Sequence, residues 1–257
     1  MLQWIARGLG KGRITTRYPR HAEAPPAGFR GRIDVLDSDA APAELTGLCP
    51  TAAIAIDRQR RLTVDRGRCI LCGACVQAAP DRFAFVAQYE TATRTRSALI
   101  VPEDRETPLE PLRETLAEQA RALRRSIHVR HIDCGSDGSE EWEIQALWNP
   151  YYDIQRLGFF LTNAPRHADI LLATGPVTSA MRGPLERTWD VMPRPKALVA
   201  VGSDACSGGL SDAGDLAAGS VDAVLPVDVY VPGSPPSPIA IMHGLLLATG
   251  LLQAVAA

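Results

Sequence analysis

The stretch Ala168-Asp-Ile-Leu-Leu-Ala-Thr174 decides the fold class. From Ile170 to Ala173 it is apolar without a break. A strand that buries one face alternates apolar and polar residues. A strand covered on both faces, as in a parallel sheet under crossover helices, is apolar throughout. Ala197-Leu-Val-Ala-Val201 repeats the pattern, and Ile127–Ile132 and Asp228–Val231 read as two further strands. Glu140–Leu147 and Met181–Val191 read as helices, Tyr151–Phe160 as continuing helix, and Ile239–Val255 as a closing helix. Strands alternating with helices predict an α/β, doubly wound parallel sheet over 126–257. Ligands of such sheets sit beyond the carboxyl ends of the strands. The loops Asp133–Ser139, Gly202–Gly209 and Pro232–Pro238 leave those ends.

Upstream the texture differs. Ile33–Phe85 is compact, with turn signals at Cys49-Pro50 and Asp65–Gly67 and short strands at Ala53–Asp57 and Leu62–Val64. Thr107–Arg125 has leucines near one face and reads as a linking helix. Met1–Gly10 reads as a short helix with Leu2, Ile5 and Leu9 apolar, followed by a Pro-rich extended stretch, Tyr18–Gly31. Two readings of this arm stand open: a disordered tail, or a strap that docks on a partner or lies on a membrane surface.

The chain has 257 residues, enough for one large domain or two modest ones. Hydrophobic residues make up 46% and charged residues 22%, ordinary for a globular protein. The net charge of −2 gives no bulk electrostatic case for nucleic acid. Yet the first twenty residues hold Arg7, Lys11, Arg13, Arg17 and Arg20 and no acid. No apolar run reaches the roughly 18 residues that span a bilayer, and the N-terminus lacks a secretory apolar core, so the expected location is the cytoplasm. Six cysteines are too few for a disulfide scaffold in a chain this long. In a reducing compartment, clustered cysteines point to metal or redox chemistry.

The cluster is Cys69-Ile-Leu-Cys72-Gly-Ala-Cys75. Spacing by threes lets three thiolates point into one cavity, and Gly73 lets the backbone come close. Iron–sulfur clusters are held by thiolates so spaced, with a fourth from a Cys-Pro elsewhere. Cys49-Pro50 supplies it. The expected cofactor is one [4Fe–4S] cluster on Cys49, Cys69, Cys72 and Cys75. Zinc on the same four thiolates is the competing reading.

This region resembles the bacterial two-cluster ferredoxins, whose halves each read C-x-x-C-x-x-C-x-x-x-C-P. In the second half here the fourth position is Ala79, still followed by Pro80; in the first half the leading positions are Asp39, Pro42 and Leu45. One full ligand set survives, and the other is lost entirely.

Ile127–Leu252 resembles the small electron-transfer subunit shared by respiratory complex I and the group 4 membrane-bound nickel–iron hydrogenases, including formate hydrogenlyase. The stretches that carry this are Asp133-Cys-Gly-Ser, Asn149-Pro-Tyr-Tyr-Asp153, Pro165-Arg-His-Ala-Asp-Ile-Leu-Leu172, Thr174-Gly-Pro-Val-Thr178, Ser207-Gly-Gly209 and Pro226-Val-Asp-Val-Tyr-Val-Pro-Gly233. Pro26-Gly-Phe-Arg-Gly31 looks like the start of the ferredoxin-type subunits of the same complexes. The chain therefore looks like a fusion. The expected organisation is an N-terminal amphipathic helix and docking arm (1–32), an α+β ferredoxin-like [4Fe–4S] domain (33–104), a linker helix (105–125), and an α/β flavodoxin-like small-subunit domain (126–257).

The resemblance also marks a gap. The family's small subunit holds a cluster on four cysteines, and the matching positions here are Asp137, Glu140, Asp204 and Ser234. Such hard oxygen donors do not replace four thiolates around an iron–sulfur cube, so no cluster is expected there. Three readings of these residues compete: hydrogen-bonded fillers, a hard-cation site, or a protonatable group of crowded carboxylates. Cys134 and Cys206 read as free, buried thiols, and His128, His131 and His167 as structural.

The resemblance implies an iron–sulfur subunit of a membrane-associated complex I-like or hydrogenase-like assembly. It would be non-catalytic itself, with no catalytic residue. Its partners would be a large subunit and membrane subunits that hold it peripherally on the inner face of the cell membrane, without nucleic acid. Electron transfer to the usual catalytic neighbour is in doubt, because it would cross the site that lacks cysteine. The alternative is a structural or proton-coupling subunit of a redox-inactive complex, with a structural or sensing cluster.

Overall fold

The structure, a computed structural model, describes residues 3–39, 41–102, 126–210 and 216–252. The expected linking helix Thr107–Arg125 lies outside them. A ferredoxin-like module with two small antiparallel sheets precedes an α/β domain built on one five-stranded parallel sheet.

The parallel sheet contains β6 (Ile127–Asp133), β7 (Phe159–Leu161), β8 (Ile170–Thr174), β9 (Ala197–Val201) and β10 (Val229–Val231) in the order β10-β9-β8-β6-β7. This is the flavodoxin-like order, whose switch point lies between β6 and β8. All five residues of β8 and of β9 are buried. Ile170 and Leu172 pack with Phe159, Val199, Val231 and the closing helix Pro238–Ala248, while Leu171 and Ala173 pack with Leu185 and Leu198 on the opposite face. The closing helix is buried along its whole length. It begins with Pro238 in its first turn, and Ser237 caps it by accepting from the Ala240 N–H at 3.3 Å.

Two expectations fail. The closing helix stops at Ala248, where Thr249 and Gly250 turn the chain, and Tyr151–Phe160 is not helix. Asn149 Oδ1 accepts from the N–H groups of Tyr151 and Tyr152 at 2.9 and 3.0 Å, and this turn, with Asp153 and Gly158 at positive φ, breaks helical progress. A single 3₁₀ turn, Ile154–Leu157, leads instead into β7, which pairs with β6.

In the first module, β1 (Arg32–Val35) pairs antiparallel with β4 (Phe83–Val86), and β2 (Ile54–Ile56), β3 (Leu62–Asp65) and β5 (Ile100–Val101) form the second sheet. Ile33, Ile54, Leu62, Val64, Phe83 and Val101 make its core. The segment that follows leaves this module and joins the other. Thr93 and Tyr230 exchange backbone hydrogen bonds at 2.9 and 2.8 Å, which covers the exposed edge of β10. Leu99 enters the core of the α/β domain.

His243, in the closing helix, is 4% exposed, and its Nδ1 accepts from the Ala92 N–H at 3.2 Å. Burial, reinforced by nearby Arg94, holds its pKa down at about 4. A folded-state pKa below the unfolded value means that the unfolded chain binds more protons between the two, so this contribution to stability falls as pH drops through that window. The stability difference between the natural chain and His243→Gln is expected to shrink by about 3 kcal/mol from pH 7 to pH 4. Urea unfolding of both chains across that range measures it.

Candidate iron–sulfur site and the loops around it

Cys49 follows a 3₁₀ turn, Ala43–Leu48, and Cys69 and Cys72 lie in the loop after β3. Cys75 sits in the first turn of helix α2 (Ala74–Ala78), which starts from Gly73 in the left-handed region at φ +88. All four cysteines line one pocket, together with Ile33, Leu48, Ile54, Val64, Ile70, Leu71 and Phe85. Cys72 is exposed at its mouth, and the other three are partly buried.

Backbone donors aim at the sulfurs. The Ala53 N–H donates to Cys49 Sγ at 3.2 Å and the Leu71 N–H to Cys69 Sγ at 3.4 Å. Such bonds steady a thiolate. Burial pushes the Cys69 thiol up to about 12, and Cys75, Cys49 and Cys72 add to the shift by their proximity. Cys75 is raised for the same first reason. A thiol placed like this ionises only when positive charge comes to it, as ligation by a cation provides.

The donor set fits an iron–sulfur cluster: four soft sulfurs, an apolar wall and N–H groups directed at sulfur. Four thiolates also suit a single zinc ion, each sulfur about 2.3 Å from it, and an iron and sulfide count distinguishes the two.

Two anchors of this loop were not singled out in the sequence. Arg30 donates to the carbonyls of Leu71 at 2.9 Å and Cys72 at 3.0 Å, and its guanidinium lies 5.0 Å from the centre of the Phe85 ring. It belongs to the Pro26–Gly31 stretch, so the only sequence signal was that motif. Ser203 Oγ bonds the Cys69 carbonyl at 3.0 Å. It sits at the start of a short helix, Ser203–Ser207, at the carboxyl end of β9, and nothing in the sequence ties it to Cys69. Nearby, Arg96 makes a two-pronged ion pair with Asp65 at 2.8 and 2.5 Å and donates to the Cys206 carbonyl at 3.1 Å. The cysteine loop is thus fastened to the carboxyl edge of the parallel sheet.

At the same edge the structure brings Asp137, Glu140 and Asp204 within electrostatic range of one another. Glu140 opens helix Ser139–Ala146 and is 2% exposed. Its Oε2 accepts from Ser139 Oγ at 3.1 Å. A Cβ at Gly202 would come within 2.4 Å of Glu140 Oε1, so only glycine leaves room for this carboxyl. Burial is the main cause that lifts Glu140 to about 7, and Asp204 and Asp137 push it in the same direction. Asp204 is raised, again chiefly by burial, whereas Asp137 is lowered by its bonds to Ser139. Ser234 is exposed in the loop after β10.

The remaining polar candidates have structural surroundings. Cys134 and Cys206 are fully buried free thiols, each pushed up to about 12 by burial. His131 Nε2 lies 3.0 Å from Thr174 Oγ1 and 3.3 Å from Glu141. The His128 N–H donates to Asp169 at 2.8 Å.

A flavodoxin-like domain carrying a cysteine-bearing module at its carboxyl edge defines a class, and comparison with known proteins identifies it. Residues 137–248 match the family model described as the 20 kDa subunit of NADH–ubiquinone oxidoreductase, and residues 62–122 match a 4Fe–4S single cluster domain. The second match includes Cys69, Cys72 and Cys75; Cys49 lies before it. Among curated proteins, formate hydrogenlyase subunit 7 of Escherichia coli is 42% identical over 53% of this chain and 54% of its own length. The probable membrane-bound hydrogenase subunit mbhJ of Pyrococcus furiosus is 39% identical over 53% of this chain and 82% of its own. The chain belongs to this family of complex I and hydrogenase small subunits, with a ferredoxin domain in the same chain. It spans about half the length of the Escherichia coli relative. A solved chain of the archaeal membrane-bound sulfane sulfur reductase covers 52% of this chain and 77% of its own length, with 29% identity and a TM-score of 0.45.

Glu140 gives a direct check of the acidic loop. Its folded-state pKa lies above the ordinary carboxyl value, so its protonated form favours folding at low pH and that contribution is lost as pH rises towards 7. A protonated-carboxyl infrared band with a midpoint near pH 7 is expected in the natural chain and absent from Glu140→Gln. A midpoint in the ordinary carboxylate range would refute the burial argument.

Proposed function

We propose that the chain is an iron–sulfur subunit of a membrane-associated assembly of the complex I and hydrogenase type, holding one [4Fe–4S] cluster on Cys49, Cys69, Cys72 and Cys75. The observation that carries this reading is the pocket that all four cysteines line. The single cluster domain matched by residues 62–122 supports it. When bound, the cluster supplies reversible one-electron storage. The chain's own part is to aim N–H groups at the sulfurs, exclude water with Ile33, Ile54 and Val64, and hold the loop with Arg30 and Ser203.

The partners under this reading are a large subunit and membrane subunits of one assembly, with this chain peripheral to the membrane; no helix among the described residues is long and apolar enough to cross a bilayer. The division into an arm (1–32), cluster domain (33–104), linker (105–125) and small-subunit domain (126–257) belongs to the same proposal. So does the loss of the family's second cluster site at Asp137, Glu140, Asp204 and Ser234. Electron transfer slows steeply with distance, so passage through that site to a catalytic neighbour would be poor. A second reading, a structural or proton-coupling subunit with a structural or sensing cluster, is favoured by one arrangement: Glu140 is buried beside Asp204 and Asp137, and burial pushes its pKa up to about 7.

Anaerobic purification, iron and acid-labile sulfide counts, and electron paramagnetic resonance after reduction test the proposal. Four iron atoms per chain are expected. Eight would overturn the single-cluster assignment. Cys72→Ala is expected to abolish the cluster's visible absorption and most of the bound iron, and unchanged iron would overturn the ligand set.

A further inference from the structure

The N-terminal arm splits into two parts with different physics. Thr15 to Glu23 is fastened to the α/β domain. Thr15 Oγ1 donates to the Pro150 carbonyl at 3.0 Å, the Thr16 N–H to the Tyr151 carbonyl at 2.8 Å, and the Tyr151 hydroxyl to Glu23 at 2.8 Å. Arg156 donates to the Tyr18 carbonyl, and Tyr18 is 1% exposed. Before this anchor runs helix α1 (Gln3–Lys11), whose described side chains are all exposed. Ile5 is 41% exposed, Leu9 80% and Ile14, just beyond the helix, 57%.

In α1, Ile5 and Leu9 are one turn apart and share a face, while Arg7 and Lys11 share the opposite face. An isolated nine-residue helix is marginal in water and gains order from what covers its apolar stripe. The charge around it has one sign: Arg13, Arg17 and Arg20 are exposed, and residues 1–20 hold no acid. Arg13 and Arg20 lie close enough to Arg156 to oppose its charge, with Glu23 and Asp153 acting the other way. A helix with an apolar stripe, a basic back and low mean hydropathy lies in the interface of an anionic bilayer.

We propose that α1 and the basic turn that follows form a direct docking surface for an anionic lipid bilayer, with Ile5, Leu9 and Ile14 entering the acyl boundary and Arg7, Lys11, Arg13, Arg17 and Arg20 facing the headgroups. This is a contact of the chain itself, additional to attachment through partner subunits, and it holds whatever cluster the cysteines bind. An acidic protein surface is the rival occupant.

Co-sedimentation of the full chain with vesicles of phosphatidylcholine, with and without phosphatidylglycerol, tests it. Binding is expected to the anionic vesicles, weakening as salt rises, with far less to neutral ones. Ile5→Asp together with Leu9→Asp is expected to lower partitioning about tenfold or more, and Lys11→Gln about fivefold. Both alter exposed positions, so iron content and circular dichroism are expected to be unchanged. Failure of the natural chain to bind anionic vesicles would assign the face to a protein partner and overturn the proposal. Undiminished binding by the double variant would overturn it equally, by placing the lipid contact elsewhere.

Discussion

Strand β8 buries all five of its side chains, so neither face of the sheet can be left to water. That constraint organises the rest. One face is closed by a helix buried along its length, Pro238–Ala248, and the other by Leu185 of helix Ser179–Val191 and by Leu99, which arrives from the first module. With both faces covered, loops gather only at the strand ends. The carboxyl edge collects the turn after β6, the Gly202 turn after β9 and the Pro232 turn after β10. The cysteine loop is fastened at this edge, through Ser203 to the Cys69 carbonyl and through Arg96 to Asp65 and Cys206. The position of the candidate cluster site thus follows from the burial of one strand.

Where a sequence signal was physical and local, it was legible. The unbroken apolar runs at 170–173 and 197–201 became β8 and β9, because burial on both faces leaves no polar position to confuse the pattern. The failure at Tyr151–Phe160 has an equally local cause. Apolar spacing there suits a helix, but the Asn149 side chain ties up two backbone N–H groups, and Asp153 and Gly158 take positive φ. Strands β1 and β4 were invisible because four-residue pairs depend on partners some fifty residues apart. Arg30 and Ser203 were missed for the same reason: each acts on a carbonyl oxygen, and a carbonyl leaves no mark in the identity of its residue.

The cysteine pocket and Glu140 illustrate two ways of burying groups that can carry charge. The cysteine pocket offers N–H donors that steady a thiolate, but its apolar walls raise the cost of ionised sulfur until a cation joins it. Among the described residues, the donors to Glu140 are those of its own first turn and Ser139. A proton can meet the cost there, which is why Glu140 sits near neutrality. Thiolate sulfur is soft and carboxylate oxygen hard, so the two loops cannot exchange roles. The case for a bound cluster therefore rests on the surroundings of Cys49, Cys69, Cys72 and Cys75 alone. At Asp137, Glu140 and Asp204 the hard oxygen donors, with Glu140 and Asp204 raised by burial, suit a proton better than a soft metal cluster.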